Sequence, residues 1–429
     1  MPASTSKFAA FAASACLFAS LATVAQAAAS SAGPAATAAD RSSQQDTLLI
    51  SRSKSVGGAR SSGQPAVPNG ASTNPVISND KRFARIIAFE SEASDLVPGD
   101  TNGVKDVFAI KRAGPVGNTG GPWRPGRTVL VSRTRTGQPS NGPSFAPAVD
   151  GGFHSRPSCV AFLSAASNMV PGDTNGVVDA FVSRGPGGKA RRVSLPGGHQ
   201  ASDATTQVAV SGDCSRIAFV TGGTLYVRIN GRRTRALAQG GSDPSFSTGL
   251  RNDLVFGGPG GVYLSKGGTH RPRLVGPGGS NPAYNDIKRQ VVTYEKRIGG
   301  HSQIVFKDLG KHEVVASSLR RSLGNGDSRN PVIGNSGYYI TFESDASNLG
   351  VNALSRPGDD NGRTDIYLYT NVRDITLVQS VKDKAVPLPG GSHNGSMSFY
   401  ANYIVFDSPA PLGSRSGTPQ IFMRYLGPV

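Results

Sequence analysis

The chain of 429 residues carries 45 Lys and Arg against 28 Asp and Glu, which gives a formal net charge of +17 at pH 7. Its length allows two ordinary domains or one large β domain. A balance this basic is common in nucleic-acid-binding proteins, but the N-terminal sequence predicts export. An exported chain meets anionic envelope polymers, so nucleic acid is excluded as the expected partner.

The chain begins with the pattern of a secretory signal peptide, which we predict to span residues 1–27. Lys7 precedes an apolar run (Phe8–Val24), and the Ala-Gln-Ala that follows fits a cleavage site. Residues 28–45 are rich in Ala, Ser and Gly and predict a disordered leader. No other apolar run approaches the roughly 20 residues that cross a bilayer. We therefore expect a secreted or periplasmic monomer without a membrane span.

From residue 46 onward the sequence repeats one β pattern. A short apolar strand ends in an aromatic residue, a second strand follows after a turn, and two further strands, one of them basic, complete each unit. The aromatic position recurs at Phe89, Phe162, Phe219, Phe256, Tyr294, Phe342 and Phe406. Four-stranded units of about 37 to 40 residues are typical of propeller blades. The pattern predicts an all-β fold: a single β-propeller over residues 46–429, with seven blades, or six as the alternative count.

The two ends of this domain predict how the ring closes. After the strand at Ile421–Tyr425 the chain ends without a fourth, basic strand, whereas an additional strand at Asp46–Ser53 precedes the first complete unit. Pairing of the N-terminal strand with the last blade would complete that blade. It would also remove two exposed strand edges, which otherwise invite aggregation.

Two segments carry a family resemblance. SGDCSRIAFVTGGTLYVRINGRRTRAL (Ser211–Leu237) and NPVISNDKRFARIIAFESEASDL (Asn74–Leu96) are similar to TolB-like, WD-repeat-like β-propeller repeats of secreted bacterial proteins. The resemblance covers most of the chain from residue 46 and implies the propeller fold. It implies no particular activity, because such repeats serve many proteins. The separate α/β domain that precedes the repeats of TolB is not evident.

An acidic, glycine-bearing loop occurs three times, each time between the second and third strands of a unit. Its copies are VPGDTNGVKDVF, VPGDTNGVVDAF and RPGDDNGRTDIY, which begin at Val97, Val170 and Arg356. The oxygen-bearing side chains at equivalent positions are candidate Ca²⁺ ligands: Asp100, Asn102, Asp106, Asp173, Asn175, Asp179, Asp359, Asn361 and Asp365. Ca²⁺ takes about 6–8 oxygen ligands, so carbonyls or water would complete the shell. The alternative is turn chemistry, because Asn-Gly favours tight turns and Asp caps them. No other cofactor is indicated.

Cys159 and Cys214 are the only cysteines beyond the signal peptide. In an exported protein such a pair predicts a disulfide, here between the second and third blades. Two buried free thiols are the alternative. The unequal distances of the two cysteines from Phe162 and Phe219 argue against the bridge, because bridged Cα atoms must lie within about 7 Å of each other.

Catalytic motifs are poorly represented. The sequence has neither a nucleophile elbow nor a zinc-binding helix motif. Carboxylate pairs such as Glu90 with Asp95, or Glu343 with Asp345, have the residue types that glycosidases use. We expect a non-enzymatic binding or scaffolding module of the envelope or extracellular space, whose partner is a protein or an anionic envelope polymer. The alternative is a secreted polysaccharide hydrolase or lyase, which acids and a histidine converging on the channel mouth would indicate.

Overall fold

The computed structural model describes residues 47–53, 66–115, 121–249, 251–287, 289–319, 322–334, 337–349, 359, 361–371, 375–380, 388–410 and 417–427. The predicted signal peptide (1–27), the leader (28–45) and Asp46 lie outside these ranges. Apart from two single turns of 3-10 helix, Pro196–Gly198 and Lys266–Gly268, all regular structure in the described ranges is β. No helix there is long and apolar enough to cross a membrane.

The strands form seven antiparallel four-stranded sheets, which are the blades of a propeller. The chain enters with β1 (Thr47–Leu49). Blade 1 contains β2 (Ser72–Ile77), β3 (Ile86–Ser91), β4 (Asp106–Arg112) and β5 (Pro125–Leu130). Blade 2 contains β6 (Ser144–Val149), β7 (Cys159–Ser164), β8 (Asp179–Arg184) and β9 (Ala190–Arg192). Blade 3 contains β10 (Thr205–Val210), β11 (Arg216–Thr221), β12 (Thr224–Ile229) and β13 (Arg233–Gln239).

The remaining blades follow in chain order. Blade 4 contains β14 (Ser242–Phe246), β15 (Leu254–Gly258), β16 (Gly261–Ser265) and β17 (Arg273–Pro277). Blade 5 contains β18 (Gly279–Asn285), β19 (Val291–Ile298), β20 (His301–Asp308) and β21 (Val314–Val315). A small hairpin, β22 (Ser318–Leu319) and β23 (Ser322–Leu323), precedes blade 6, which contains β24 (Ser328–Gly334), β25 (Tyr339–Ser344), β26 (Asp365–Thr370) and β27 (Ile375–Val378). Blade 7 contains β28 (His393–Met397), β29 (Tyr403–Ser408), β30 (Gln420–Tyr425) and β1.

The predicted aromatic positions all lie in the second strand of a blade. In six blades the residue directly opposite on the third strand is also aromatic: Phe89–Phe108, Phe162–Phe181, Phe219–Tyr226, Phe256–Tyr263, Phe342–Tyr367 and Phe406–Phe422. Their ring centroids lie 5.4 to 6.2 Å apart. Such cross-strand pairs fix the register of the two central strands, and each contributes about 0.5–1.5 kcal/mol beyond its buried area.

The hydrophobic core is divided into seven clusters, one at each interface between neighbouring blades. The cluster between the last and first blades joins Tyr403 and Met423 to Ile77 and Phe89. Seven interfaces for seven blades mean that the ring is closed. The first strands of neighbouring blades contact each other, so they line the central channel.

Closure occurs as the sequence predicts. β1 pairs antiparallel with β30, with Leu49 opposite Phe422, and the N–H of Ile50 donates to the carbonyl of Ile421 at 2.8 Å. The seven-blade count is therefore confirmed over the alternative of six. The closing strand, Thr47–Leu49, is shorter than the predicted Asp46–Ser53, because after the bond from Ile50 the chain contacts blade 7 through the side chain of Ser51 instead.

Candidate functional site

The three acidic loops connect β3 to β4, β7 to β8 and β25 to β26. In a four-stranded antiparallel blade, this connection lies on the same face of the ring as the connection to the next blade. We call it the loop face. In blade 6 the loop positions 356–358 and 360 lie outside the described residues, as do positions 411–416 of the corresponding connection in blade 7.

The closing aspartate of each loop belongs to a buried hydrogen-bond arrangement, which we call the blade tie. In blade 2 the hydroxyl of Ser194 donates to Asp179 and accepts the N–H of Ala180 (3.1 Å). The side-chain amide of Asn175 donates to Asp179 Oδ2 (3.1 Å) and to the carbonyl of Ala201 (3.0 Å), which lies on the path into blade 3. The tie therefore joins the third strand to the end of its own blade and to the entry of the next blade.

The same tie occurs in the other two acidic loops. Its side chains are Asn102, Asp106 and Ser132 in blade 1 and Asn361, Asp365 and Ser380 in blade 6. The asparagine amides reach the carbonyls of Ser140 (3.0 Å) and Leu388 (2.9 Å). Each serine lies two residues beyond the fourth strand of its blade. The three loops thus have a common structural task.

Blades 5 and 7 make the tie with a single glutamine. Gln303 accepts the hydroxyl of Ser317 through Oε1 (2.6 Å) and donates through Nε2 to the carbonyl of Gly324 (2.9 Å). Gln420 makes the equivalent two bonds. A glutamine carries in one side chain the acceptor and the donor that the aspartate and asparagine of the acidic loops supply together.

This arrangement bears directly on the predicted Ca²⁺ ligands. The asparagines present an amide nitrogen to the closing aspartates, and their oxygens accept backbone N–H groups two residues on, at 3.3 Å for Val104 and 2.7 Å for Arg363. The intervening glycines have φ near +65°, a left-handed conformation that favours glycine. The asparagine oxygens and Oδ1 of each closing aspartate thus already accept protein donors. Ca²⁺ binding by these loops stays a prediction.

The first aspartate of each loop has a different environment in each blade. Asp173 pairs with the guanidinium of Arg192 (3.0 Å) in blade 2, and Asp359 accepts the hydroxyl of Tyr367 (3.1 Å) in blade 6. Within the described residues, no side chain donates to Asp100 in blade 1. Burial, together with the nearby carboxylate of Asp106, raises the pKa of Asp100 to about 6.

Cys159 and Cys214 are joined in the structure, with their Cα atoms 6.3 Å apart. The offset noted in the sequence is absorbed by the turn before β11, where Cys214 adopts a φ of 57°. The carboxylate of Asp150 accepts the N–H groups of Ser158 and Cys159 beside the bridge. Burial raises the pKa of this carboxyl to about 6.

A second chain of hydrogen bonds, the acid–amide chain, surrounds part of the channel mouth on the loop face. Asn394 donates its backbone N–H to Glu343 (2.8 Å) and its side-chain amide to Asp407 (2.7 Å). The N–H of Asn74 donates to the same Asp407 oxygen (2.8 Å), which links blades 6, 7 and 1. Equivalent hydrogen bonds extend the acid–amide chain in both directions. On one side Asn330 donates to Glu343 and to Glu295, and on the other the N–H of Ala146 donates to Glu90.

Acids and a histidine do converge at this mouth. Nδ1 of His393 lies 3.6 Å from a Glu343 oxygen, and this contact raises the pKa of His393. Burial raises the pKa of Asp407 to about 6. Each of these carboxylates accepts hydrogen bonds from a neighbouring blade, so the acid–amide chain helps to hold the blades together. In the carboxylate pairs predicted from the sequence, Glu90 with Asp95 and Glu343 with Asp345, the second acid has a partner of its own. Asp345 pairs with Arg329, and Asp95 accepts the N–H of Asn69.

Basic grooves lie beside the loops of blades 1 and 2, at the rim of the loop face. The larger one, about 600 Å³, lies between the Val170–Gly172 segment of the loop and the outer edge of blade 2. Four cations and no carboxylate line it: Arg135, Lys189, Arg191 and Arg192. An adjoining groove of about 410 Å³ shares Arg135 and the loop segment and also contains Asp173, the partner of Arg192. A third groove, of about 220 Å³, holds Arg127 and Arg133 in blade 1.

The grooves, the acid–amide chain and the blade ties were not predicted from the sequence. The sequence contains a signal for each of them. For the acid–amide chain, Asn-Pro or a similar pair begins several first strands, and an acid follows the second-strand aromatic residue at Glu90, Glu343 and Asp407. For the grooves, basic clusters such as Lys189–Arg192 occur at the outer strands. Which of these residues meet depends on packing within and between neighbouring blades, and for Asn74 and Asp407 on ring closure.

No protein-family model and no curated protein matches this sequence. Similar solved structures include the β-propeller domain of the Trilobed protease from Pyrococcus furiosus (8% identity, 85% of this chain and 99% of that chain, TM-score 0.48). The putative TolB from Agrobacterium tumefaciens (14%, 56% and 94%, 0.35) and Trypanosoma rangeli sialidase (12%, 89% and 60%, 0.38) are further examples. At these identities the similarity concerns the fold alone. The chain is a seven-bladed β-propeller, and its function has to be inferred from its own surfaces.

Proposed function

We propose that the protein is an exported, non-catalytic binding module that docks an anionic envelope polymer along the basic grooves of blades 1 and 2. The observation that carries the proposal is the charge of the larger groove. Arg192 is neutralised by Asp173 and Asp179, whereas Arg135, Lys189 and Arg191 are exposed and have no ion-pair partner in the described part of the chain. Unpaired cations gathered in a concave surface attract anions at close range.

A polymer suits this surface better than a small ligand. The grooves adjoin one another across two blades, because the 410 Å³ groove shares lining residues with the 600 Å³ groove. Arg133 of blade 1 extends toward blade 2, where a Cβ at Gly187 would lie 3.5 Å from its Nη2 atom. A repeating polyanion such as a polyuronate would meet cations in successive grooves. Several weak contacts along one polymer molecule together give a higher overall affinity than any one of them alone.

Export places the protein where such polymers occur. The pattern of residues 1–27 is that of a signal peptide. The Cys159–Cys214 bridge supports an oxidising compartment, because disulfides persist outside the cytosol. A protein partner at the same face is the other occupant that the sequence suggested, and the experiment below separates the two.

The test is binding of fluorescently labelled polygalacturonate to the chain without residues 1–27, followed by anisotropy at low and moderate salt. We expect saturable binding that weakens as salt rises, because the contacts are between exposed charges. The triple variant Arg135→Gln, Lys189→Gln, Arg191→Gln should bind at least about tenfold more weakly.

The matched control removes three exposed charges elsewhere. Arg232→Gln, Arg233→Gln, Arg235→Gln alters exposed residues at the β12–β13 hairpin of blade 3, which line none of these grooves. It should change binding less than about twofold. Equal losses in both triple variants would mean that net charge alone attracts the polymer. The absence of binding at any salt would exclude a polyuronate ligand and favour a protein partner.

A second candidate function is hydrolysis or cleavage of a polysaccharide at the channel mouth, since His393, Glu343 and Asp407 meet there. Incubation with neutral and acidic polysaccharides, followed by measurement of new reducing ends and of unsaturated products, tests it. We expect no product above the level of a blank. Product that disappears with Glu343→Gln, but persists with the groove variant, would establish the enzyme instead.

A further inference from the structure

The face opposite the loop face is crossed by the connection between β6 and β7. Within this connection the N–H of Gly151 donates to the carbonyl of Gly212 in blade 3, and the N–H of Phe153 donates to the carbonyl of Thr248 in blade 4, both at 3.0 Å. The ring of Phe153 lies 5.2 Å from that of Phe399 in blade 7. A segment of blade 2 that contacts blades 3, 4 and 7 must lie across the end of the channel.

A concave site of about 210 Å³ lies beside this crossing segment. Its lining comes from the β2–β3 turn and from the crossing segment itself. Three of the lining side chains are cations, Lys81, Arg85 and Arg156, and His154 adds an imidazole. The one carboxylate, Asp80, is buried, pairs with Arg85 and accepts the hydroxyl of Ser78 (2.7 Å). Its charge is therefore used within the turn.

The remaining positive charge is not balanced. Within the described residues, no carboxylate pairs with Lys81, His154 or Arg156. Two of these groups are nevertheless positioned: Nζ of Lys81 lies 4.7 Å from the centre of the Phe153 ring, and the His154 ring packs against the same phenyl group at 4.6 Å. Cations held in place by aromatic rings bind an anion at a smaller entropic cost than free side chains do.

We propose that this pocket binds a phosphate group. An ammonium, an imidazole and a guanidinium surround a small concave space, and together they supply donors in several directions and more positive charge than a single carboxylate would balance. Phosphate oxygens accept from such groups through short, charge-assisted hydrogen bonds. The pocket lies on the face opposite the basic grooves, so the proposal does not depend on polymer binding there.

The test is calorimetric titration of the chain without residues 1–27 with inorganic phosphate and with glycerol 3-phosphate at low salt. We expect saturable binding that weakens at least about tenfold in Lys81→Met, Arg156→Gln. Arg156→Gln alone, at an exposed side chain, should weaken it severalfold without changing the melting midpoint. The matched control Arg232→Gln, Arg235→Gln, at exposed residues that line neither this pocket nor the grooves, should bind phosphate like the wild type.

Sedimentation with vesicles separates the two sources of the phosphate group. If phosphatidylglycerol vesicles, but not phosphatidylcholine vesicles, retain the protein and Arg156→Gln releases it, the ligand is a lipid headgroup. If phosphate binds but vesicles do not, the ligand is soluble. No phosphate binding at millimolar concentration, or binding that Arg156→Gln and the double variant leave unchanged, would overturn the proposal.

Discussion

In blade 2 the carboxamide of Asn175 and the carboxylate of Asp179 occupy the place that the single amide of Gln303 occupies in blade 5. Both solutions satisfy a serine hydroxyl and a backbone carbonyl that ring assembly buries. An unsatisfied buried polar group costs about 1–3 kcal/mol. The repeated acidic loop thus supplies hydrogen bonds that join successive blades.

Asn102→Ala distinguishes this explanation from calcium ligation. It removes the donor to Asp106 and to the carbonyl of Ser140, so we expect the free energy of unfolding to fall by about 1–3 kcal/mol. The loss, measured by chemical denaturation, should be the same in millimolar Ca²⁺ and in chelator. Thr101→Ala, an exposed position in the same loop, is the control and should have little effect. A loss seen only with Ca²⁺ would show that the loop binds the ion.

Asp100 predicts a pH-dependent difference in stability. Its folded pKa of about 6 lies above the ordinary carboxyl value of 3.8. The neutral acid therefore stabilises the fold below the lower value, and this contribution is lost as pH rises through 6. Asp100→Asn does not titrate. Its melting midpoint should equal that of the wild type near pH 4 and exceed it by about 1–3 °C at pH 7. The exposed control Glu92→Gln should show no such trend; a lower midpoint for Asp100→Asn at pH 7 would contradict the assignment.

At the scale of elements, the bridge from β7 to the turn before β11 closes a loop of 55 residues. The variant Cys159→Ala, Cys214→Ala should therefore lose about 2–4 kcal/mol of stability in non-reducing conditions. Reductant should lower the melting midpoint of the wild type and leave that of the variant unchanged. Two titratable thiols in the unfolded, unreduced wild type would show that the bridge does not form.

The strands were predictable because each second strand carries its aromatic residue at the same position. Phe89 and Phe162, for example, lie opposite aromatic residues on the next strand. The aromatic positions that repeat in the sequence are therefore the ones that pack against each other in the blades. The closing strand was predictable by counting, since the last blade lacked one strand and the N-terminus had one in excess. The hairpin β22–β23 was missed, because strands of two residues have no recognisable periodicity.

The sites were less predictable, because their partners are distant in sequence. Asn74 and Asp407 are 333 residues apart and meet only across the junction of blades 1 and 7. Asn74 also adopts a φ of 53° in a strand bulge, which directs its groups toward the channel mouth. The loop spacing identified Asp100, Asn102 and Asp106 as a unit, but it does not reveal Ser132, which donates to Asp106.

At the scale of the whole molecule, closure depends on a strand of three residues. A chain that begins at residue 54 should be less stable than one that begins at residue 47 by about 3–6 kcal/mol, because it loses the burial of Leu49 and Ile50 as well as the pairing with β30. Thermal melting of the two chains measures the difference. Equal midpoints would mean that β1 contributes nothing to closure.

The ring also separates the two surfaces for which binding is proposed. The loop face carries the basic grooves of blades 1 and 2, and the opposite face carries the small cationic pocket beside Phe153. The closed ring, with a hydrophobic cluster at every blade interface, holds both surfaces in fixed positions. Rigid presentation lowers the entropic cost of binding, which suits a docking module.

Hydrogen–deuterium exchange of the chain with and without polygalacturonate tests the central claim, docking at the basic grooves, most directly. We predict slower exchange in peptides covering residues 133–137, 168–174 and 189–200, which contain lining residues of the three grooves. Exchange in residues 232–239 of blade 3 should be unchanged. Protection confined to the channel mouth around Glu343 and His393, or spread evenly over every basic segment, would contradict docking at these grooves.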